Sequence, residues 1–453
     1  MKNNGLRNML PLVGIYALRM LGLFMILPVF ALYAEHLHGS TPMLTGLALG
    51  AYGLTMALLQ IPFGMLSDRF GRKPVIAAGL LLFSLGGVVA AMSDSVTGVI
   101  AGRLLQGSGA IAAAVMALIA DLTDESQRTK AMAVFGIGIG ASFTFALILG
   151  PLLDGYIGVD GLFWLASVFG IVGIVILYLF VPNPQHSHMH RDVEVEPMKL
   201  KQILANRLLL RMDAGIFFLH TMMTATFIAL PFALRNDVHL PTEEHVWFYL
   251  PILLTSVAGM IPLIIMAEKY GKMKQVFTGC VIALIVAEGL LATTHHFMAG
   301  LVVGTFIYFV AFNALEASLP SLVSRMSPAA GKGTAMGVYS TSQFFGAFCG
   351  GVSGGVMYGA FGVGGVFMVN AGMALIWLLV CRDMRFPMNL SSKMIPVGNL
   401  NQAEAEALVG KLKQARGVEE VTIVREEGVA YLKVDGNQYN PDAISELLSP
   451  DYS

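Results

Sequence analysis

The sequence is poor in charge. Asp, Glu, Lys and Arg make up 13% of its 453 residues, about half the share of a soluble globular domain. A water-soluble globule needs a charged shell that this composition cannot supply. The formal net charge is −1, so no global field draws nucleic acid, and no nucleic-acid partner is expected. Cysteine is scarcer still. Cys280, Cys349 and Cys381 stand far apart in apolar segments, and neither a disulfide framework nor a metal-binding spacing can be built from them. No nucleophile–base pair or ligand constellation marks an enzyme, and no cofactor or metal is expected. The first apolar run, from about Met9 to Ala34, is too long for a signal-peptide core. No small-residue cleavage site follows it, and it reads as an uncleaved span.

What fills the chain is apolar. Hydrophobic residues make up 56% of it, and the mean hydropathy is +0.70. Runs of about 20 residues recur, the length a helix needs to cross a bilayer. Twelve spans are predicted, at 9–34, 43–66, 74–92, 96–120, 130–155, 161–182, 207–234, 246–267, 275–294, 298–323, 333–357 and 362–381. The expected fold class is an all-α polytopic membrane protein of two six-helix halves, 1–182 and 207–382, joined by a linker at 183–206. The lipid bilayer is its first partner.

Positive charge gathers on one side of the spans. Lys2 and Arg7, Arg69, Arg72 and Lys73, Arg128 and Lys130, Arg191, Lys269 and Lys272, Arg325, and Arg382 all fall in connections on that side. The opposite connections hold Glu35, Asp94, Asp154, Asp160, Arg235, Asp237, Glu243 and Glu244, and, between the ninth and tenth spans, only histidines. The positive-inside rule makes the basic side cytoplasmic. Both termini then lie inside, in a bacterial inner membrane. The linker carries "HSHMHRD", where His186, His188 and His190 alternate; it reads as a solvated connection.

Composition shifts after Arg382. Residues 383–396 read as a linker with a first strand near 391–397. Residues 397–453 carry ten acidic side chains against five basic ones, a net of −5. Ala403–Ala415 is patterned as an amphipathic helix, Val418–Val424 and Gly428–Val434 as a hairpin, and Pro441–Leu448 as a second helix. The order resembles a small ferredoxin-like α+β domain. "GVEEVTIVREEGVAYLKVDG" is similar to the strand pair of heavy-metal-associated domains, but "VGNLNQAEA" stands where those domains carry CxxC. An acidic domain below basic loops is expected to dock on them.

"LSDRFGRKPV" (66–75) and "MAEKYGKMKQV" (266–276) repeat one another at equivalent turns of the two halves. Asp68 aligns with Glu268, Arg69 with Lys269, Gly71 with Gly271 and Arg72 with Lys272. Paired turns of this kind mark a six-plus-six transporter. "GMLSDRFGRKP" resembles the signature loop of the major facilitator superfamily, "RLLQG" (Arg103–Gly107) the RxxQG motif of its drug:proton antiporter branch, and "GPLLDG" (Gly150, Pro151 to Gly155) the end of the antiporter motif. Asp154 stands there in place of a glycine.

A carboxylate at Asp68 can meet the N-terminus of the eleventh helix, near Gly333–Gly337, on the same side of the membrane. Gly46, Gly50 and Gly53 on the second span, and Gly346, Gly350, Gly351, Gly354, Gly355 and Gly359 on the eleventh, are spaced for close approach. Gly64 and Gly71 allow the turn. Arg69 or Arg72 is expected to pair with Asp121 or Asp124. Together with Glu268 in the second copy, these residues read as a conformational latch favouring the outward-open state.

Ionisable groups at membrane depth are costly and mark function. Arg19, Arg103, Gln106, Asp213, His220, Asn313 and Glu316 fall on the first, fourth, seventh and tenth spans. The resemblance implies that these four spans line a central cavity. Glu316 and His220 are the candidates for proton coupling, with Arg103 as modulator. Glu288, on the ninth span, is expected at the periphery. Phe24, Met25, Met116, Met223 and Phe227 suit an apolar ligand. The expected function is proton-coupled efflux of small amphipathic compounds. The alternatives are symport of a polar metabolite, or a membrane sensor with the C-terminal domain as output.

Overall fold

The computed structural model describes residues 4–123, 125–183, 197–328, 331–384, 390–398, 400–425, 428–435, 438–440 and 444. The histidine-bearing linker segment, Asp124 and all of 441–448 but Ile444 lie outside them.

Among the described residues ten helical stretches are long and apolar enough to span a membrane, and two of these run for 51 and 50 residues. At 1.5 Å per residue such a helix measures about 75 Å, against about 30 Å of hydrocarbon. Each is broken by one glycine: Gly158 in α7 (Glu125–Phe180) at φ 66°, ψ 173°, and Gly362 in α13 (Lys332–Cys381) at φ 67°, ψ −163°. These breaks fall at or beside the predicted connections between spans five and six and spans eleven and twelve, which gives the expected twelve. Gly71 and Gly271 are likewise a left-handed pair, at φ 92° and 65°. The two halves thus repeat in backbone conformation as well as in sequence.

Helix ends follow local chemistry. Pro42 opens α3 (Pro42–Phe70) behind Thr41, whose hydroxyl accepts from Leu44 N at 3.2 Å, and Asn206 caps α9 (Arg207–Phe232) by accepting from two backbone amides. Two predicted spans are discontinuous. The first is α1 (Asn4–Phe24) and α2 (Leu27–Tyr33), with Pro28 in the first turn of α2. The fourth is α5 (Val96–Ser108) and α6 (Ala112–Asp121), broken where Gly109 backs onto the Gly79 carbonyl of α4 (Arg72–Ala91). The remaining helices are α8 (Pro197–Ala205), α10 (His245–Glu268), α11 (Met273–Thr294) and α12 (Met298–Met326).

Apolar side chains cover the outside at helical spacing. Leu81, Leu85 and Val89 are exposed on α4, with Met92 just beyond its end, and Trp247, Leu254, Ile261 and Ile265 on α10. Exposed apolar faces of this extent need a lipid environment. The chain is a multi-pass membrane protein.

The halves meet through α3 and α13, α2 and α9, and α7 and α10. Gly46 backs onto Gly351 and Gly355, Gly50 onto Ala347 and Phe348, and Gly53 onto Phe344. Gly346, Gly350 and Gly354 do not face α3 as the sequence reading had it. They face Phe217, Thr221 and Ala225 of α9, because residues four apart share a helix face and residues five apart do not. The α3 contacts lie in the part of these helices nearer Glu35. At that end Arg235 donates to Glu35 at 2.6 Å across the halves. Beneath it Phe232 stacks on Tyr358 at 4.4 Å with Ala31 and Leu32 alongside.

The C-terminal residues form β1 (Leu390–Pro396), α14 (Gln402–Gln414), β2 (Val418–Val424) and β3 (Val429–Asp435), in the order β1-β3-β2 with both pairs antiparallel. This is a split βαβ unit. Asn401 and Glu404 build a capping box at the start of α14. Leu408, Leu412, Val421, Leu432 and Val434 form its own core, on which Ile444 also packs.

Candidate functional site

The intramembrane polar residues fall into three clusters. The first lies within the C-terminal half, next to its seam with α7. His220 Nε2 of α9 lies 3.1 Å from Glu316 Oε2 of α12. Gln343 of α13 closes a triangle: its Nε2 donates to Glu316 Oε1 at 3.0 Å and lies 2.8 Å from His220 Nε2. A ring nitrogen that accepts from Gln343 has no proton for Glu316, and one that donates to Glu316 repels the amide hydrogens. The tautomer that His220 adopts therefore decides how the triangle closes. His220 is buried, whereas the Glu316 side chain is 33% exposed.

Apolar surface adjoins this pair. Phe312, one turn before Glu316, stacks on Phe143 of α7 with centroids 5.7 Å apart at 25°, and lies 6.0 Å from the His220 ring. Phe143 meets Phe24 edge-on at 5.0 Å. An aromatic bridge runs from α1 through α7 to α12 and ends beside the ionisable pair. Of the apolar residues singled out in the sequence, Phe24, Met25, Met223 and Phe227 are buried in packing and Met116 is half-buried.

The second cluster is inside the N-terminal half. Arg103 is fully buried over the face of Tyr52, 4.5 Å from its centroid. It donates to Gln106 Oε1 at 3.1 Å and to the Leu49 carbonyl at 3.3 Å. Arg19, also fully buried, packs against Tyr16 and Phe83 and reaches Met56 Sδ at 3.6 Å. The expectation that Arg103 and Gln106 join His220 and Glu316 in one site is not what the structure shows. A ring face and a carbonyl of their own half hold the guanidinium instead. Asn313, on the same helix as Glu316, turns away and donates to Ser256 of α10 at 3.1 Å. Asp213 is buried with neither carboxyl oxygen hydrogen-bonded among the described residues.

The third cluster overturns the peripheral placement of Glu288. Its side chain is fully buried. Thr226 of α9 and Asn370 of α13 donate to Oε1 at 3.1 and 3.2 Å, and Asn370 also donates to Thr226 Oγ1 at 3.1 Å. Oε2 has no hydrogen-bond partner among the described residues. Helix phase could not reveal this, because the ninth span turns one polar residue to the bundle and its other faces to lipid. Gln343 and Asn370, polar residues within apolar spans, were the legible signals that the sequence reading passed over.

The charged turn sits at the other end from Glu35. Arg72 binds Asp68 on one side, Ser67 Oγ at 2.8 Å, and Asp121 at 3.4 Å. Ser67 in turn donates to the Gly64 carbonyl at 2.7 Å, and Gly64 backs onto Ala113 of α6. Arg72 rather than Arg69 takes Asp121; Arg69 is exposed over Phe70. Asp68 meets Arg72, one turn away across Gly71, rather than the start of α13. In the second half, Arg325 donates to Glu268 at 2.5 Å, so the repeat keeps an ion pair but exchanges which span carries the base. Gly150, next to Pro151, backs onto the Met25 carbonyl at the α1–α2 break. Lys433, a basic residue of the acidic domain, donates to the Met326 and Ser327 carbonyls at the end of α12, at 3.1 and 3.3 Å. Burial holds its ammonium below the usual lysine range, against the opposing pull of Glu420 and Glu419.

The sequence profile described as Major Facilitator Superfamily matches residues 12–287 and 212–394. The chain is 46% identical over 434 residues to the inner membrane transport protein YajR of Escherichia coli K12, covering 96% of this chain and 95% of that one. It is 27% identical over 382 residues to multidrug resistance protein 2 of Bacillus subtilis, covering 79% and 92%. A bacterial homologue of the human lysosomal transporter Spinster superposes with a TM-score of 0.71 at 15% identity, over 85% of this chain and 98% of that one, and supports the fold. A twelve-span fold with paired turn glycines, a profile match across residues 12–394 and a near full-length relative agree: the chain belongs to the major facilitator superfamily of transporters.

Proposed function

We propose that this transporter is a proton-coupled exporter of small amphipathic compounds, of the drug:proton antiporter kind, working by alternating access. The observation that carries this reading is the His220–Glu316–Gln343 triangle at the end of the Phe24–Phe143–Phe312 bridge. A group that can gain or lose a proton there adjoins the aromatic surface an amphipathic substrate would occupy. Protonation of the pair, and substrate resting on Phe143 and Phe312, compete for one seam between the halves. The name of the Bacillus subtilis relative, a multidrug resistance protein, is in keeping with this reading.

The Asp68 end faces the cytoplasm, with both termini, in the inner membrane of a bacterium. The halves close on one another at the Glu35 end, so the cavity opens inward here. The Asp68–Arg72–Asp121 cluster is the latch in its released form. When the Asp68 end closes, Asp68 reaches the first turn of α13, where the N-cap Gly331 brings no side chain of its own. The C-terminal residues form a ferredoxin-like module, and Lys433 anchors it to α12 as a regulatory element.

Reconstituted vesicles with an imposed proton gradient test this, with ethidium as the amphipathic probe. Gradient-driven extrusion that stops when the gradient is collapsed is expected. Transport indifferent to the gradient, or counterflow of a sugar or organic anion with no movement of ethidium, overturns the reading.

A further inference from the structure

At the Glu35 end, three ligand-bearing side chains converge from two places 58 residues apart in sequence. His295 Nδ1 lies 2.6 Å from Asp237 Oδ2, and His296 Nδ1 lies 3.9 Å from Asp237 Oδ1. The two imidazole centroids are 3.8 Å apart at 46°. All three ligand atoms lie within 4.8 Å of one another.

We propose that Asp237, His295 and His296 form a site for a divalent transition-metal ion of the zinc class. Consecutive residues of a helix point about 100° apart and seldom turn the same atom to one partner. Here α11 ends at Thr294 and the chain turns, so that both Nδ1 atoms face a single carboxylate. Asp237 is delivered by a π-helical turn, Ala233–Asp237, that follows α9, a departure from α geometry that recurs at functional sites.

The donor set of two imidazole nitrogens and a carboxylate suits borderline metals rather than Ca²⁺ or Mg²⁺. Ligand atoms around a tetrahedral zinc lie about 3.4 Å apart. The 2.6 Å contact of His295 with Oδ2 must therefore open by about 0.8 Å, and His296, now nearer Oδ1, must turn towards the same oxygen. Exposure of the His296 side chain, 63% against 11% for His295, leaves an entry path and room for water in the fourth position. The proton that His295 Nδ1 donates to Asp237 leaves to solvent as the metal arrives. The bound ion ties the end of α9 to the α11–α12 turn, two residues from Arg235 and its bond to Glu35.

The test uses the full-length protein in detergent, free of any affinity tag. His186, His188 and His190 are replaced by Ala so that the linker cannot chelate. Titration with Zn²⁺ should show one ion per chain and a rise in unfolding temperature, and Co²⁺ should give a tetrahedral visible spectrum. His296→Ala, at an exposed ring, and Asp237→Asn should each weaken binding about tenfold or more. No binding by the parent protein, or equal binding by His296→Ala and Asp237→Asn, overturns the proposal.

Discussion

Nε2 of His220 and Oε2 of Glu316 are 3.1 Å apart, joining the seventh span to the tenth across the core of the C-terminal half. Glu316→Gln removes the carboxylate but keeps the size of the side chain. Gradient-driven transport should fall by at least about tenfold, while exchange of substrate across vesicles at equal pH continues. Loss of both activities would place Glu316 in substrate binding instead. Retention of both would remove it from the mechanism.

Gly351 and Gly46 let α13 and α3 touch backbone to backbone. A leucine at Gly351 has no space there, and overpacking of this kind costs roughly 1–3 kcal/mol. The unfolding temperature should drop. Relief comes most easily by parting the helices at the Glu35 end, so cysteines engineered at that end should crosslink more slowly than in the parent.

Arg72 and Asp121 are a buried pair, with side-chain exposures of 4% and 0%. Removing one member of a buried ion pair costs about 3–5 kcal/mol. Arg72→Ala should approach that loss, and adding Asp121→Asn should recover part of it. A double-mutant cycle read by thermal unfolding should give a coupling of at least about 1 kcal/mol; strict additivity would show the pair to be independent.

Glu288→Gln preserves a partner for Thr226 and Asn370, whereas Glu288→Ala leaves both donors buried without it. The alanine variant should lose about 2–5 kcal/mol and the glutamine variant much less. If the glutamine variant is stable yet fails to couple transport to the proton gradient, Glu288 carries a proton as well as holding three helices together.

Lys433→Met removes the donor that sits on the Met326 and Ser327 carbonyls. Limited proteolysis between Cys381 and Leu390 should become faster, with the membrane spans unaffected. A matching change in transport rate would establish regulation by the domain; unchanged transport would leave Lys433 a tether.

The span count, the paired turns and the glycine spacing were legible because each follows from short-range constraints: bilayer thickness, a left-handed turn, a residue every four. The pairing of Arg72 with Asp121 was legible as one of several options, since both lie at the same end of neighbouring spans. The stacking of Arg103 on Tyr52 and the burial of Glu288 were not. Which neighbour stands opposite a given helix face is set by tertiary packing, and a single sequence carries no phase between helices. The breaks at Gly109 and after Phe24 escaped for a related reason. Hydropathy runs straight through them, and only the backbone of a facing helix requires them. Docking of an acidic domain on basic loops was expected from net charge, whereas the recorded bond uses one of its few lysines on uncharged carbonyls.

The eleventh span presents two unlike sides. Towards α9 it is riveted, since Thr221 donates to the Gly346 carbonyl at 3.1 Å beside the close-packed Gly350 and Gly354. Towards α3 it is a smooth bearing, where Gly351 and Gly355 meet Gly46 backbone to backbone. A helix fixed on one side and smooth on the other moves as part of its own half while sliding over its neighbour. It can serve as the axle on which the two halves rock.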